Sequence, residues 1–256
     1  MFVEYAEEFV HVLFRDDVLQ RAFEEAKAIK AIFDRMGVPE GGSVLDLCCG
    51  VGRHAIPLAE MGYRVVGLDI SPYFISMARR RAAEAGLTDR ARFMIGDARE
   101  VSDLLKGEEP FDAVLCLWTS IGYFGYEDDV KMFSSARSLA RPGAILVLNT
   151  ANRDGIIASY CQSFIHELDD IEAHELRKLD LNRSILISRW RICEREEGAL
   201  KIRAEVKMEL RLYAPHEILT LLRDAGWEPE GIYASLSLDQ LRPSSRWLVA
   251  LARAPG

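Results

Sequence analysis

The sequence predicts a doubly wound α/β protein built on a mostly parallel, seven-stranded sheet, and two observations lead to this fold. Between residues 43 and 150, short apolar runs alternate with segments of helical periodicity, as in successive β–α–β units. These runs are apolar throughout, which is typical of strands covered by helices on both faces. The chain has 256 residues, so at roughly 150 residues per domain it allows one such domain with an appended piece.

Two helices are expected before the alternation begins. Apolar residues recur at helical spacing over 17–36, with charged residues on the opposite side. A shorter helix is predicted over 2–13, and Gly37 and Pro39 then break the helical pattern. Residues 1–42 are therefore interpreted as an N-terminal helical cap.

The α/β core is predicted over residues 43–150. Its five apolar runs, interpreted as strands, are 44–47, 64–69, 91–95, 111–117 and 144–149. The intervening segments, interpreted as helices, are 53–61, 72–85, 99–105 and 127–139.

After residue 150 the alternation stops, and residues 151–213 are interpreted as an insertion. Gly155–Asp180 is expected to be helical and acidic. An antiparallel hairpin with strands over 184–194 and 200–213 is then predicted around a turn at Glu196-Glu197-Gly198, because apolar and charged residues alternate in its second strand.

Residues 214–256 are expected to complete the core. The predicted elements there are a helix over 216–225 and strands over 232–238 and 247–252.

Composition and charge exclude several functional classes. The net charge of −8 disfavours a protein that binds nucleic acid as its main task. The longest stretch without a charged residue, 113–126, is shorter than the roughly 20 apolar residues of a membrane span. The acidic start does not resemble a secretory signal, and the five cysteines match no disulfide framework. A cytoplasmic location is therefore expected.

The strongest motif is the segment Val44–His54, where a predicted strand enters a glycine-containing turn and a helix follows. Gly50 and Gly52 allow the backbone to approach a ligand closely, and the following helix offers free N–H groups. The pattern Gly50-x-Gly52-x-x-Ala55 matches the dinucleotide-binding fingerprint. The pattern Asp46-Leu-Cys-Cys-Gly50-Val-Gly52 supports a second interpretation.

That second pattern resembles motif I of the class I S-adenosylmethionine (SAM)-dependent methyltransferases, Asp-x-Gly-x-Gly-x-Gly, with Cys48 where the first glycine is usual. Asp69 and Asp97 end the next two predicted strands. An acid at position 69 fits both interpretations, whereas Asp46 and Asp97 favour SAM. The likeness covers about residues 43–150 and continues over 211–227. A narrower likeness to largely uncharacterised bacterial and archaeal methyltransferases is carried by 152–154, 188–190 and 210–213.

The resemblance implies a Rossmann-like methyltransferase fold with a reversed last strand, and SAM as the cofactor. It implies that Asp46 lies near the ammonium-bearing half of SAM, that Asp69 accepts from the ribose hydroxyls and that Asp97 binds the adenine edge. The residues expected to bind the cofactor are Asp46, Cys48, Gly50, Gly52, Asp69, Ile70, Asp97, Ala98, Leu117 and Trp118.

The segment after the fourth strand is expected to face the site, because ligands of this fold lie at the carboxyl ends of the strands. It lacks the Asn/Asp-Pro-Pro-Tyr motif of base-amine methylases, and the chain lacks the cysteine motifs of 5-methylcytosine enzymes, so a small-molecule acceptor is predicted. The segment also lacks a histidine base, which favours a nitrogen acceptor. Tyr123 and Tyr126 are expected to orient the acceptor. The residues expected to contact it are Thr119, Asn149, Asn152 and Arg153.

Three alternatives remain open from the sequence. The first is that the chain is a nicotinamide-dependent oxidoreductase, and the second is that it is a SAM-binding module without turnover. The third concerns the insertion. The insertion either covers the site as a lid or forms a homodimer contact. His166, Asp170 and His174 have helical spacing, but their charged surroundings indicate a solvated helix, and no metal site is predicted.

Overall fold

The computed structural model describes residues 2–168, 170–196 and 199–256. The helices are α1 Ala6–Leu13, α2 Asp16–Met36, α3 Ala55–Glu60, α4 Pro72–Glu84, α5 Val101–Leu104, α6 Tyr126–Leu139, α7 Arg153–Ala158 and α8 Pro215–Asp224. The strands of the first sheet are β1 Ser43–Leu47, β2 Arg64–Asp69, β3 Ala91–Ile95, β4 Phe111–Cys116, β5 Ala140–Ala151, β10 Glu228–Tyr233 and β11 Trp247–Arg253. Those of the second sheet are β6 Ser163–Leu168, β7 Ile171–Asp180, β8 Ile185–Glu196 and β9 Ala199–Arg211.

The first sheet has the order β10-β11-β5-β4-β1-β2-β3. Strands β1 to β5 pair in parallel, and β11 is antiparallel to both of its neighbours. The predicted seven-stranded, doubly wound sheet with a reversed last strand is therefore confirmed. Helices α2, α3 and α4 cover one face, and α5, α6 and α8 cover the other. Burial on both faces explains why the strands are apolar throughout.

The predicted acidic helix over Gly155–Asp180 is wrong. Among the described residues of that range only α7 is helical, and β6 and β7 then join β8 and β9 in a four-stranded antiparallel sheet. The inner face of β7 buries Ala173 together with Glu175, whose carboxylate pairs with Arg177 at 2.5 Å. Charged residues on both faces hide the two-residue alternation, and strand pairing overrides the local propensity.

The histidines that were predicted to share a helix face lie on different strands. His166 is opposite Ala173, and His174 is opposite Ile165. Because neighbouring residues of a strand point to opposite faces, these two imidazoles lie on opposite sides of the sheet. The predicted hairpin is formed by β8 and β9, whereas Glu197 and Gly198 of its predicted turn lie outside the described residues.

One boundary of the last strands also differs from the prediction. Strand β10 begins at Glu228, opposite Arg253 of β11, and ends at Tyr233, whereas the apolar run had suggested 232–238. Across the described parts of the chain, every helix is too short or too polar to cross a bilayer.

The insertion sheet packs on the N-terminal helix. Phe9 and Val12 of α1 share a hydrophobic cluster with Trp190 and Val206 of the insertion, and the rings of Phe9 and Trp190 meet edge to face at 5.7 Å. The other side of α1 packs on Val51. Helix α1 therefore lies between the turn after β1 and the insertion.

Candidate functional site

A cavity of about 500 Å³ lies at the carboxyl ends of the central strands, where ligands of doubly wound sheets bind. The turns of the α/β core, helix α1 and the insertion sheet all contribute to its wall. Eleven residues named from the sequence line it: Asp46, Cys48, Gly50, Asp69, Ile70, Asp97, Ala98, Leu117, Trp118, Thr119 and Tyr123.

The turn after β1 has a backbone that favours glycine. Cys48 has a φ of 56°, and Gly50 and Gly52 have values of 56° and 70°, so Cys48 occupies a left-handed position that usually carries glycine. Gly52 does not line the cavity; a Cβ atom there would lie 2.8 Å from the ring of Phe93. Its glycine is therefore explained by packing behind the site.

Asp69, at the end of β2, ties two turns together. Its Oδ2 accepts from the Gly50 amide and its Oδ1 from the Ser71 amide, each at 2.9 Å. Burial raises its pKa, and the two amides oppose that shift. Each oxygen keeps one lone pair for a further donor from the cavity.

Asp46 is the most isolated acid of the site. It is only 2% exposed, and its Oδ2 has no hydrogen-bond partner among the described residues. Burial raises the pKa of this carboxyl to about 7, although the charge of Arg53 acts in the opposite direction. A buried acceptor of this kind requires a donor, and an ammonium group would satisfy it.

Arg53 and His54 also line the cavity, and the sequence did not single them out. Both contact Glu25 of α2, at 2.8 Å and 2.7 Å respectively. The Arg53 guanidinium lies 4.5 Å from the centre of the Trp118 ring. Burial lowers the pKa of His54 to about 4, so this imidazole is neutral at physiological pH. Only the pairing with a distant helix reveals these roles.

Arg99 competes with adenine for Asp97, which is expected to bind the adenine edge. Arg99 donates to both oxygens of Asp97, at distances from 2.6 to 3.1 Å, and also to Asp128 at 3.0 Å. These bonds lower the pKa of Asp97 and keep it ionised. A further donor therefore has to share this carboxylate with Arg99.

The loop after β4 has a strained backbone and is held in place by hydrogen bonds to Asn149 of β5. Trp118 and Thr119 have φ values of 61° and 62°, a conformation that non-glycine residues rarely adopt outside functional sites. The Trp118 amide donates to Asn149 Oδ1 at 3.3 Å, and the Thr119 amide donates to the Asn149 carbonyl at 3.1 Å. Asn149 is absent from the cavity wall and holds the loop that forms it.

The two tyrosines expected to orient the acceptor lie in different places. Tyr123 lines the cavity, packs edge to face on Phe2 at 5.3 Å and has a pKa raised by burial. The hydroxyl of Tyr126 donates to Asp224 of α8 at 2.6 Å, away from the cavity wall. Its position does not support an orienting role.

Asn152 and Arg153 are likewise placed outside the cavity wall. The Asn152 side chain donates to the Ser245 carbonyl at 2.7 Å, and Arg153 Nε donates to the Ser184 hydroxyl at 3.0 Å. Both fix the root of the insertion, and their placement does not support the expected contact with substrate.

The outer wall of the cavity comes from segments that the motif does not include. The insertion contributes Trp190, Lys207, Met208 and Glu209, and the N-terminal segment contributes Phe2, Val3, Phe9, Leu13 and Phe14. Phe14 lies directly over the turn, because a Cβ atom at Gly50 would be 2.8 Å from its ring. Aromatic and apolar groups therefore face the carboxylates of the core.

Residues 44–143 match the family model described as a methyltransferase domain. A ubiquinone biosynthesis O-methyltransferase of Cereibacter sphaeroides is 34% identical over 130 residues, covering 49% of each chain. The chain spans about half the length of the curated relatives it matches.

Two solved structures share the fold over most of their length. The CcbJ methyltransferase of Streptomyces caelestis superposes with a TM-score of 0.82 and 22% identity, covering 100% of both chains. The SAM-bound amino pentose methyltransferase CalS10 of Micromonospora echinaspora has a TM-score of 0.66 and 19% identity, covering 91% of both chains.

The topology is that of SAM-dependent methyltransferase structures, and the matched residues are a methyltransferase domain. A methyltransferase domain therefore occupies residues 44–143, and its cofactor is SAM. The unpartnered oxygen of Asp46 and the open turn at Gly50 fit a ligand that carries an ammonium group.

Proposed function

We propose that the chain transfers the methyl group of SAM to a small-molecule acceptor, with nitrogen favoured as the accepting atom. The observation that carries this proposal is the shared cavity, in which the Asp46, Gly50 and Asp69 side of the core faces the insertion sheet. Its volume of about 500 Å³ lies within the range of small-molecule sites.

The chemistry of the wall supports an amine acceptor. The carboxylates of Asp46, Asp129 and Glu209 line the cavity together with the aromatic rings of Trp118 and Trp190, a combination that suits a cationic or amine-bearing molecule. His54, the histidine of this wall, is bonded to Glu25 and has a pKa lowered to about 4 by burial. It is therefore a weak base for a hydroxyl acceptor.

The residues of the chain would bind SAM and position the acceptor, and none of them would form a covalent bond to the methyl group. In the proposed assignment, Asp46 binds the cofactor's ammonium group, Asp69 its ribose and Asp97 its adenine edge, shared with Arg99. The sulfonium supplies an already activated methyl group when bound. In-line approach of the acceptor, fixed by the cavity wall, would then provide most of the acceleration.

The insertion is proposed to act as a lid over the acceptor. Its apolar inner face packs on α1, and Trp190 and Met208 continue into the cavity wall. Covering the site in this way excludes water and shapes the acceptor pocket. This placement favours the lid over the homodimer contact, because the insertion itself forms part of the cavity wall.

The test is an incubation of the protein with methyl-labelled SAM and a metabolite extract of the source cells, followed by mass spectrometry. A labelled small molecule and stoichiometric S-adenosylhomocysteine are expected, and Asp69→Asn should reduce both. Asp103→Asn, an exposed acid away from the cavity, is the matched control. SAM binding without S-adenosylhomocysteine formation would leave a binding module, and thermal stabilisation by NAD(H) instead of SAM would indicate the oxidoreductase.

A further inference from the structure

Asp129, in the first turn of α6, is a buried acid to which the cofactor assignment above gives no role. It is 3% exposed and lines the cavity. Its neighbour Glu127 is exposed and does not line the cavity. A carboxylate is buried only where hydrogen bonds or an opposite charge compensate for its lost hydration, since an unpaired buried charge is costly.

The two oxygens of Asp129 have different surroundings. Oδ2 accepts from the Tyr213 hydroxyl at 2.5 Å and from the Gly122 amide at 3.0 Å. Tyr213 follows β9, and Gly122 belongs to the loop after β4. Oδ1 has no hydrogen-bond partner within the described ranges, although it belongs to a side chain that lines the cavity. One oxygen is thus anchored, and the other is available to a ligand.

The position of Asp129 relates it to the reacting groups. Asp129 lines the same cavity as Cys48 and Gly50 of the turn after β1. It also belongs to the same wall as Tyr123 and Trp118 of the β4 loop. Asp129 therefore lies where the cofactor motif and the expected acceptor side of the cavity adjoin.

The charge environment suits a group that exchanges protons near neutrality. Burial raises the pKa of Asp129 to about 6, and the charge of Asp128 adds to this shift. The Tyr213 hydroxyl, the Gly122 amide and the charge of Arg211 oppose it. Asp129 is consequently ionised at pH 7, yet basic enough to accept a proton.

We propose that Asp129 Oδ1 accepts the proton that the acceptor's nucleophilic group must lose before or during methyl transfer. This inference rests on the proposed function. For an ammonium-bearing acceptor, one N–H bond breaks and an O–H bond forms on Asp129. The freed nitrogen lone pair then forms the new N–CH3 bond, while the S–CH3 bond breaks and its electron pair stays on sulfur. Water later removes the proton from Asp129.

The first test compares Asp129→Asn with the wild type. Asparagine keeps an oxygen that can accept from Tyr213 and Gly122, but it cannot take the proton. With methyl-labelled SAM at saturation and the metabolite extract as acceptor source, the methylation rate should fall about 100-fold or more, with SAM affinity unchanged. Glu127→Gln, in the same helical turn, is the matched control and should keep the wild-type rate.

The pH dependence distinguishes a proton acceptor from a structural residue. The wild-type rate should rise with pH through an apparent pKa of about 6, and Asp129→Asn should lack this rise. Tyr213→Phe removes a donor that favours the ionised carboxylate, so the rise should move to higher pH. An unchanged rate in Asp129→Asn, or a pH limb that survives this substitution, overturns the assignment.

A titration without turnover tests the same assignment. Carbon-13 NMR of aspartate-labelled protein bound to S-adenosylhomocysteine should show a carboxyl that titrates near pH 6 in the wild type and is absent in Asp129→Asn. A carboxyl at this position that stays in one protonation state from pH 5 to 8 refutes the inference. A wild type that methylates nothing refutes the proposed function instead, so the two failures are distinguishable.

Discussion

Binding of SAM at pH 7 should release protons, and Asp46 should be their source. In the free protein this carboxyl has a pKa of about 7, so it is half protonated at that pH. An ammonium group placed against its unpartnered Oδ2 favours the ionised form. Each bound SAM should therefore release about half a proton.

The assay is isothermal titration calorimetry at pH 7 in phosphate and in Tris, which differ in ionisation enthalpy. The difference between the apparent binding enthalpies gives the number of protons released. Asp46→Asn should reduce that number to near zero. It should also weaken SAM by roughly 10- to 150-fold, because a hydrogen bond to a charged group is worth about 1.5–3 kcal/mol. Asp103→Asn should match the wild type in both respects.

The same carboxyl predicts how the stability of the free protein depends on pH. Its pKa is raised from the ordinary 3.8 to about 7 in the folded state, so folding favours the protonated form. The stability that this provides below pH 4 is lost as the pH rises through about 7, by about 4 kcal/mol in total. Chemical denaturation between pH 4 and 8 should show this decline, and Asp46→Asn should flatten it. Equal buffer dependence of the binding enthalpy in wild type and Asp46→Asn would refute the reasoning.

The remaining predictions concern the turn and the insertion. Cys48→Gly should bind SAM and unfold about 2–4 °C higher, because it relieves a left-handed backbone at a net gain of about 1 kcal/mol; Cys48→Ala, which keeps the Cβ atom, should show no such rise in a melting curve. Trp190→Ala should keep SAM affinity in calorimetry but lose about 100-fold in methylation rate if the insertion positions the acceptor. Loss of SAM affinity in a folded Trp190→Ala variant would instead assign the insertion to the cofactor site.

The α/β core was predictable because each of its signals is local. The bounds of β2 and β3 agree with the apolar runs, since strands covered on both faces leave a continuous apolar pattern. Strands β6 and β7 were missed because charged residues lie on both of their faces. In β7 the buried Glu175 pairs with the half-buried Arg177, and no local rule distinguishes such residues from a solvated helical face.

The candidate site likewise combines residues that a local motif predicts with residues that depend on contacts between distant segments. Its motif residues lie within the turns after β1, β2 and β3, where a short sequence pattern places them together on one wall. Asp129 gains its position from Tyr213, which is 84 residues away in the chain. His54 similarly depends on Glu25 of α2. A role that depends on pairing between distant segments produces no characteristic residue spacing that a sequence motif could reveal.

The charges around the cavity explain why it suits a cationic ligand. Arg53 is paired with Glu25, and Arg99 is paired with Asp97 and Asp128. Asp46, Asp69 and Asp129 form no salt bridge within the described parts of the chain, and burial raises the pKa of each of them. A ligand with a sulfonium and an ammonium group supplies the positive charge that these carboxylates lack. Binding of such a ligand should therefore ionise Asp46.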